Sequence, residues 1–165
     1  MKYKHCPECG EKLVPKEIGD EGLIPFCNSC EKPYFDVMLP CVIVAVVNEF
    51  GEVALLKQDF GRITAWALVS AYMKKGETLE DTLTREVKEE TGHDVEEARY
   101  VGSYYSTERD LIMIGFVAFV KKRDFTASKE ILDINWYSPS EALNALVEGS
   151  IAKRHFKRII ELGLI

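Results

Sequence analysis

The segment 77–93 constrains this chain most, because its acidic residues recur at the spacing of a helix face. It reads E-T-L-E-D-T-L-T-R-E-V-K-E-E-T-G-H, with Glu86, Glu89 and Glu90 at positions i, i+3 and i+4 and Glu77 two turns upstream. At about 100° per residue the later three carboxylates share one arc, where like charges repel by roughly a few tenths of a kcal/mol per pair. A cation would relieve this repulsion, and carboxylate oxygens suit Mg²⁺ or Mn²⁺.

A simpler interpretation of the same segment is a solvated helix face, in which Arg85 pairs with Glu89 at i+4. The helix boundaries follow from local signals. Thr78 with Asp81 predicts an N-cap, and Gly92 predicts the end of the helix. Three apolar residues at i+4 steps should dock the helix on a sheet beside the acidic face, which we expect to point to solvent: Leu79, Leu83 and Val87.

Four of the five cysteines have the spacing of a structural zinc site, C-x2-C-x17-C-x2-C. Four thiolates close a tetrahedral zinc site and stabilise a segment too short to form its own core. A disulfide or a redox pair is less favoured, because nothing signals export and no thioredoxin-like context is present. The predicted zinc ligands are Cys6, Cys9, Cys27 and Cys30.

Residues near these ligands carry smaller expectations. Gly10 follows the first cysteine pair, where a left-handed turn would aim backbone amides at the thiolates. His5 is expected to be an exposed neighbour of the site. Cys41 opens an apolar run and is expected to be a small buried core residue.

The remaining pattern predicts a zinc ribbon over residues 1–38 and an α/β domain over residues 39–165, with a mixed sheet between helices. Predicted strands cover 41–47, 52–57, 95–105, 111–121 and 131–137, and residues 70–76 form a loop. Ser138-Pro139-Ser140-Glu141 starts a helix that runs to residue 147, and a last helix covers 150–162. Its basic residues fit a solvated face better than a phosphate contact: Lys153, Arg154, Lys157 and Arg158.

Composition limits the partners. The chain has 165 residues, 47% of them hydrophobic, and a net charge of −6, which argues against binding an extended nucleic acid. The longest apolar runs are too short to span a bilayer, and the first residues lack a signal core, so we expect a cytoplasmic protein with no membrane partner. The residues leave open whether it forms a homodimer.

The order of residues in the acidic segment resembles the Nudix box, G-x5-E-x7-R-E-U-x-E-E-x-G-U, where U is a large aliphatic residue. Two of its nine fixed positions differ: Ala71 stands at the opening glycine, and His93 at the final aliphatic position, where we expect a half-exposed histidine without a role. The seven matches, which include every charged position, are Glu77, Arg85, Glu86, Val87, Glu89, Glu90 and Gly92.

This resemblance implies an α/β/α Nudix fold and a set of site roles. Glu86 and Glu90 would hold Mg²⁺ or Mn²⁺, with Glu89 completing the site. Either Glu89 or Glu130 would remove a proton from the attacking water, and Glu130 would alternatively be a metal ligand or an ordinary strand-edge residue. Arg85 would orient Glu77 or Glu89 without touching substrate.

The resemblance also implies roles for the loop before the helix. The backbone carbonyl of Ser70 would help to bind metal, and a carbonyl is present whatever the side chain is. If residue 71 must take a positive φ, Ala71 costs on the order of 1 kcal/mol relative to glycine. Of the aromatic residues that could stack on a nucleobase or simply pack, Tyr72 is the first choice; the others are Phe26, Tyr34, Phe35 and Tyr105.

A zinc ribbon followed by a Nudix box is similar to the NADH pyrophosphatase branch of the superfamily. That branch carries S-Q-P-W-P-F-P-x-S after the box, whereas this chain has S-Y-Y-S-T-E-R-D over residues 103–110. The resemblance implies metal-dependent hydrolysis of the pyrophosphate linkage of NAD(H), a related dinucleotide or ADP-ribose. The alternative is a catalytically weakened Nudix-like nucleotide sensor whose zinc ribbon binds a partner.

Overall fold

Two separate sheets organise the chain. A computed structural model of the protein describes residues 3–59, 64–126 and 131–165. The chain divides into two units, Met1–Met38 and Leu39–Ile165, and each has its own sheet. Within the described ranges, no helix combines the length and the apolar character that crossing a membrane requires.

The smaller unit buries very little apolar surface. Its three antiparallel strands are β1 (Val14–Glu17), β2 (Leu23–Cys27) and β3 (Lys32–Pro33), in the order β1-β2-β3. Its buried cluster consists of Cys6, Leu13 and Cys27. A core of this size does not stabilise a fold by itself, so the unit needs a cross-link such as a metal.

The larger unit is built on a mixed seven-stranded sheet of order β10-β5-β4-β9-β8, with β6 paired to β5 and β7 paired to β4. The central pair, β4 with β9, is parallel, and the other pairs are antiparallel. In chain order the elements are β4 (Leu39–Asn48), β5 (Val53–Asp59), β6 (Thr64–Ala67), β7 (Val69–Tyr72), α1 (Leu79–Thr91), β8 (Glu97–Ser106), β9 (Leu111–Val120), β10 (Ile131–Tyr137), α2 (Pro139–Ala145) and α3 (Ile151–Glu161).

Alternate residues of β4 face the two helical layers. Ile43, Ala45 and Val47 join a core with α2 and α3, through residues such as Phe156. The intervening valines, Val42, Val44 and Val46, join a second core with Leu83 and Val87 of α1. Side chains alternate along a strand, so one strand supports both layers. The predicted mixed α/β architecture with helices on both faces is confirmed.

The predicted helix signals are confirmed. The Thr78 hydroxyl accepts a hydrogen bond from the Asp81 backbone N–H, and the Asp81 carboxylate accepts one from the Thr78 N–H. Gly92 ends α1 in the left-handed conformation at φ 79°. Ser138 caps α2 in the same way, although that helix ends at Ala145, and Ser150 caps α3.

The predicted loop over residues 70–76 is wrong at its start. Ser70, Ala71 and Tyr72 belong to β7, where Ala71 pairs with Val42 of β4. Ala71 is not among the residues with positive φ; in the described chain the non-glycine residues of that kind are Glu31 and Asp110. Ala71 therefore carries no left-handed strain, because hydrogen bonding to β4 keeps this segment extended.

A buried histidine links α3 to the sheet. His155 is fully buried; its Nε2 lies 2.9 Å from the Phe116 carbonyl oxygen, and its Nδ1 lies 3.1 Å from the Tyr104 hydroxyl. Nε2–H therefore donates to the carbonyl, and Nδ1 accepts from the hydroxyl. The ring occupies space that only Gly115 leaves open, since a Cβ there would lie 2.6 Å from it. Burial lowers the pKa of His155 to about 4.

The lowered pKa of His155 predicts that the protein loses stability in mild acid. A histidine whose pKa is lowered by folding stabilises the fold above its unfolded pKa of about 6.5, and that stability is lost as the pH falls towards 4. The free energy of unfolding from denaturant titrations should decrease by up to about 3 kcal/mol over this range because of His155. His155→Gln should show a smaller decrease, and an identical pH profile in the two proteins would contradict the prediction.

Candidate functional site

The four predicted zinc ligands converge in the smaller unit. Their Sγ atoms all lie within 4.8 Å of one another, with Cys6 and Cys30 3.9 Å apart and Cys9 and Cys27 3.5 Å apart. Sulfur ligands at about 2.3 Å from a tetrahedral zinc are about 3.8 Å apart. Both the donor set and the spacing therefore fit Zn²⁺.

Backbone geometry supports this cysteine cluster. Gly10 has a φ of 77°, as predicted, and the Cys30 N–H donates to the Cys27 sulfur at 3.4 Å. The Tyr34 hydroxyl lies 3.0 Å from the Cys6 sulfur, a contact that the sequence analysis did not find because no spacing rule links the two residues. His5 is exposed and outside the cluster, and Cys41 is buried, both as predicted.

Arg85 organises the acidic face of α1 in the larger unit. Its Nε and Nη2 donate to the two oxygens of Glu77 at 2.6 and 2.9 Å, a bidentate pair. Its Nη1 donates to Glu86 and, at 3.2 Å, to Glu89. One guanidinium therefore contacts three carboxylates of the predicted site, and a charge-assisted fork of this kind fixes orientation as well as charge.

Glu77 is held by further hydrogen bonds besides those from Arg85. Its carboxylate also accepts hydrogen bonds from the Lys74 N–H and the Thr82 hydroxyl. The hydrogen bonds from Arg85 are the largest cause that lowers the pKa of Glu77 to about 2, so this side chain is ionised at neutral pH. Glu77 thus anchors the start of α1 to Arg85.

The other carboxylates lie around this anchor without meeting at one point. Among the described residues, the cysteine cluster is the one group of three or more metal-type ligands whose donor atoms converge within 4.8 Å. Glu89 is half exposed, with 52% of its side chain accessible. Glu90 is partly buried, with one carboxylate oxygen out of contact with solvent, so the expectation of a solvent-facing side chain holds only in part. Glu130 lies outside the described residues.

His93 also differs from expectation. It is fully buried rather than half exposed, because this position packs edge-on against Phe125 and Trp136. Its Nδ1 lies 2.9 Å from the Thr91 carbonyl oxygen, and its Nε2 has no hydrogen-bond partner among the described residues. Burial lowers the pKa of His93, so the ring is neutral and takes the packing place of an aliphatic residue.

A cavity of about 510 Å³ opens on the face of the sheet opposite α1. Ser70 lines it, while its neighbours Val69 and Ala71 pack in the α1 core, so β7 lies between the cavity and the acidic helix. Tyr72 is exposed and does not line it. Other lining residues come from distant segments: Trp66, Tyr105, Arg109, Met113 and Arg154.

The basic face of α3 is therefore not uniform. Lys153 and Lys157 pair with Glu148 at 2.8 and 3.6 Å, and Arg158 pairs with Glu161 at 3.8 Å. Arg154 instead lines the cavity, with its guanidinium 5.9 Å from the Tyr104 ring centre. Lys157 and Arg158 fit the predicted solvated face, with about half of each side chain accessible, whereas the Lys153 side chain is only 13% accessible. Arg154 is exposed as predicted but lines the cavity, which helical periodicity did not indicate.

A family model described as "NUDIX domain" matches residues 38–158. The chain belongs to the Nudix family. The match covers most of the chain and includes α1 with every charged residue of the box.

Curated relatives extend the similarity through the cysteine segment. The chain is 29% identical over 161 residues to "NAD-capped RNA hydrolase NudC" of Shigella dysenteriae serotype 1 (strain Sd197), which covers 97% of this chain and 61% of that protein. It is 27% identical over 165 residues to the protein of the same name from Vibrio atlanticus (strain LGP32), covering 98% and 59%. The chain thus spans about three fifths of the length of these relatives.

Solved structures share the Nudix fold. A NUDIX hydrolase from Nitrosomonas europaea aligns with a TM-score of 0.71 and 24% identity, over 96% of this chain and 91% of that one. The NUDIX domain of Shewanella oneidensis NrtR, complexed with ADP ribose, aligns with a TM-score of 0.64 and 14% identity, over 84% and 92%.

The cysteine cluster predicts that Cys27→Ser loses zinc. Removing one of four thiolates opens the site, and a ribbon with so small a core should unfold without its metal. Zinc per chain, measured by atomic absorption, should fall from stoichiometric to near zero. The matched control is Cys41→Ser, which changes a buried cysteine outside the cluster and should retain zinc. Stoichiometric zinc in folded Cys27→Ser protein would rule out the four-thiolate site.

Proposed function

We propose that the protein hydrolyses the pyrophosphate linkage of a nucleoside diphosphate derivative, with NAD(H), a related dinucleotide or ADP-ribose as the substrate. The observation that carries this proposal is the Arg85 fork, which fixes Glu77 and extends to Glu86 and Glu89 on one helix. A helix that needed only stability would not gather three carboxylates around one guanidinium.

Divalent metal is part of the proposal. Glu86, Glu89 and Glu90 would hold Mg²⁺ or Mn²⁺, since their carboxylate oxygens are the hard donors that these ions prefer. A bound ion would neutralise charge on the phosphate oxygens and lower the pKa of its bound water. Arg85 Nε and Nη2 would keep Glu77 in place while Glu86 and Glu89 hold the ion.

The side chains around the acidic helix would have different roles in the reaction. Glu89, half exposed and oriented by Arg85, is suited to accept the proton of the attacking water, because it can reach both solvent and substrate. Glu130 stays the alternative base or a further metal ligand. Arg85 and Glu77 position the other groups and need not touch the substrate.

The nucleoside half would occupy the cavity beside β7. A volume of about 510 Å³ is within the range of small-molecule sites. Trp66 and Tyr105 offer aromatic surface to a base, and the Ser70 carbonyl would contribute to the metal site from the same strand. Tyr72, which is exposed nearby, stays a candidate for stacking. The names of the NudC relatives and the ADP ribose in the NrtR structure support NAD-related substrates.

The proposal also includes structural Zn²⁺ beside the catalytic Mg²⁺ or Mn²⁺, and a location in the cytoplasm. Structural Zn²⁺ in the ribbon requires reduced thiolates, which a reducing cytoplasm maintains. Whether two copies associate is left to a measurement of mass in solution.

The sensor alternative depends on a weakened site. The departure of residues 103–110 from the NADH-type motif favours it, but Ala71 does not, because that residue lies in an unstrained strand. Incubation with Mg²⁺ or Mn²⁺ and NADH, NAD⁺, ADP-ribose, diadenosine polyphosphates or nucleoside triphosphates separates the two functions. Turnover that EDTA abolishes and metal restores is expected; nucleotide binding without any turnover would favour the sensor.

Glu90→Gln should lower kcat by at least about a hundredfold, because it removes a metal-binding charge and keeps the shape of the side chain. Its melting temperature without added divalent metal should stay close to that of the wild type. Glu80→Gln is the matched control, since Glu80 is an exposed acid in the first turn of the same helix and away from the Arg85 cluster. Equal turnover by Glu90→Gln and wild type would remove Glu90 from the site.

A further inference from the structure

Two arginines from distant parts of the chain line the cavity. Arg109 lies in the turn between β8 and β9, and Arg154 lies in the first turn of α3. Neither forms an ion pair with any residue in the described ranges, whereas the other three bases of α3 are each paired with a glutamate. An unpaired guanidinium at a cavity wall is available to a ligand.

The charged residues that line the cavity are mainly basic, whereas the protein as a whole is acidic. The chain as a whole carries a net charge of −6. The lining has two arginines and one acid, Glu108, which forms no ion pair with Arg109 within the described residues. Burial raises the pKa of the Cys41 thiol, and the positive charge of Arg109 partly offsets that rise. Arg109 therefore lies near Cys41, close to the start of β4.

The rest of the lining is suited to an uncharged ring. Trp66 is held edge-on by Tyr137, with ring centres 5.2 Å apart, and Met113 adds apolar surface. One pocket therefore combines aromatic and apolar surface with two positively charged groups. A phosphomonoester carries close to two negative charges at neutral pH, which two guanidinium groups match, and each can bind phosphate oxygens through a planar fork.

The geometry points to a preference for substrates whose nucleoside half carries an additional phosphomonoester, bound by Arg109 and Arg154 beside the aromatic surface of the cavity. This inference rests on the proposed function for the location of the scissile linkage, and it narrows the substrate class. It also gives a meaning to residues 103–110, where a charged Glu108-Arg109 sequence stands in place of the apolar and proline-rich NADH-type motif.

NADPH and NADH test the inference, because they differ only by the ribose 2′-phosphate. With Mg²⁺, kcat/KM for NADPH should exceed that for NADH by at least about tenfold, the gain expected from charge-assisted hydrogen bonds to one phosphate. Arg109→Gln and Arg154→Gln should each reduce this ratio by about tenfold. Lys157→Gln, on the same helix but outside the cavity, should keep the wild-type ratio. Equal kcat/KM for the two substrates, together with equal binding of AMP and both adenosine bisphosphates, would overturn the inference.

Binding without turnover separates this inference from the proposed function. Titration calorimetry with AMP, adenosine 2′,5′-bisphosphate and adenosine 3′,5′-bisphosphate should show tighter binding of a bisphosphate, and the gain should disappear in Arg109→Gln and Arg154→Gln. If no dinucleotide is hydrolysed but this pattern holds, the proposed hydrolysis fails and the phosphate site stands. If AMP binds as tightly as both bisphosphates, the phosphate site is wrong, whatever the turnover.

Discussion

The parallel pairing of β4 with β9 is the constraint on which the larger unit depends. Ten residues of each strand are in register, from Leu39 with Leu111 to Asn48 with Val120. Parallel strands of this kind are covered on both faces, and here α1 covers one face while α2 and α3 cover the other. The acidic helix and the cavity are therefore held on opposite sides of the same sheet, and β7, on the other edge of β4, lies between them.

Local signals in the sequence were sufficient for most of the fold. The caps at Thr78, Ser138 and Ser150 act over three or four residues, and so do the strand patterns, which explains why the predicted elements match to within a few residues. Strand β7 was missed because Ser70 and Ala71 have weak strand propensity, and pairing with β4 decided their conformation. His93 was misjudged for a similar reason: its burial comes from Phe125 and Trp136, which lie far along the chain.

Some features of the candidate site could likewise be predicted from the sequence, and others could not. One helix carries the acidic residues, so their spacing alone indicated a shared face. The partners of Arg85 depend on rotamers, and the sequence left open whether it would orient Glu77 or Glu89; it contacts both. The cavity could not be predicted, because Trp66, Arg109 and Arg154 meet only after the sheet and α3 have packed together.

The Arg85 cluster gives the two proposed metal sites different relations to folding. In the ribbon, four sulfurs converge in a unit with very little core of its own, so a bound zinc ion would hold the unit together. On α1, the guanidinium serves as a built-in counter-ion, which keeps the carboxylates compatible with a folded helix before any ion arrives. Chelation should therefore unfold the small unit but only remove the metal from α1. The larger unit should stay folded and able to bind metal again.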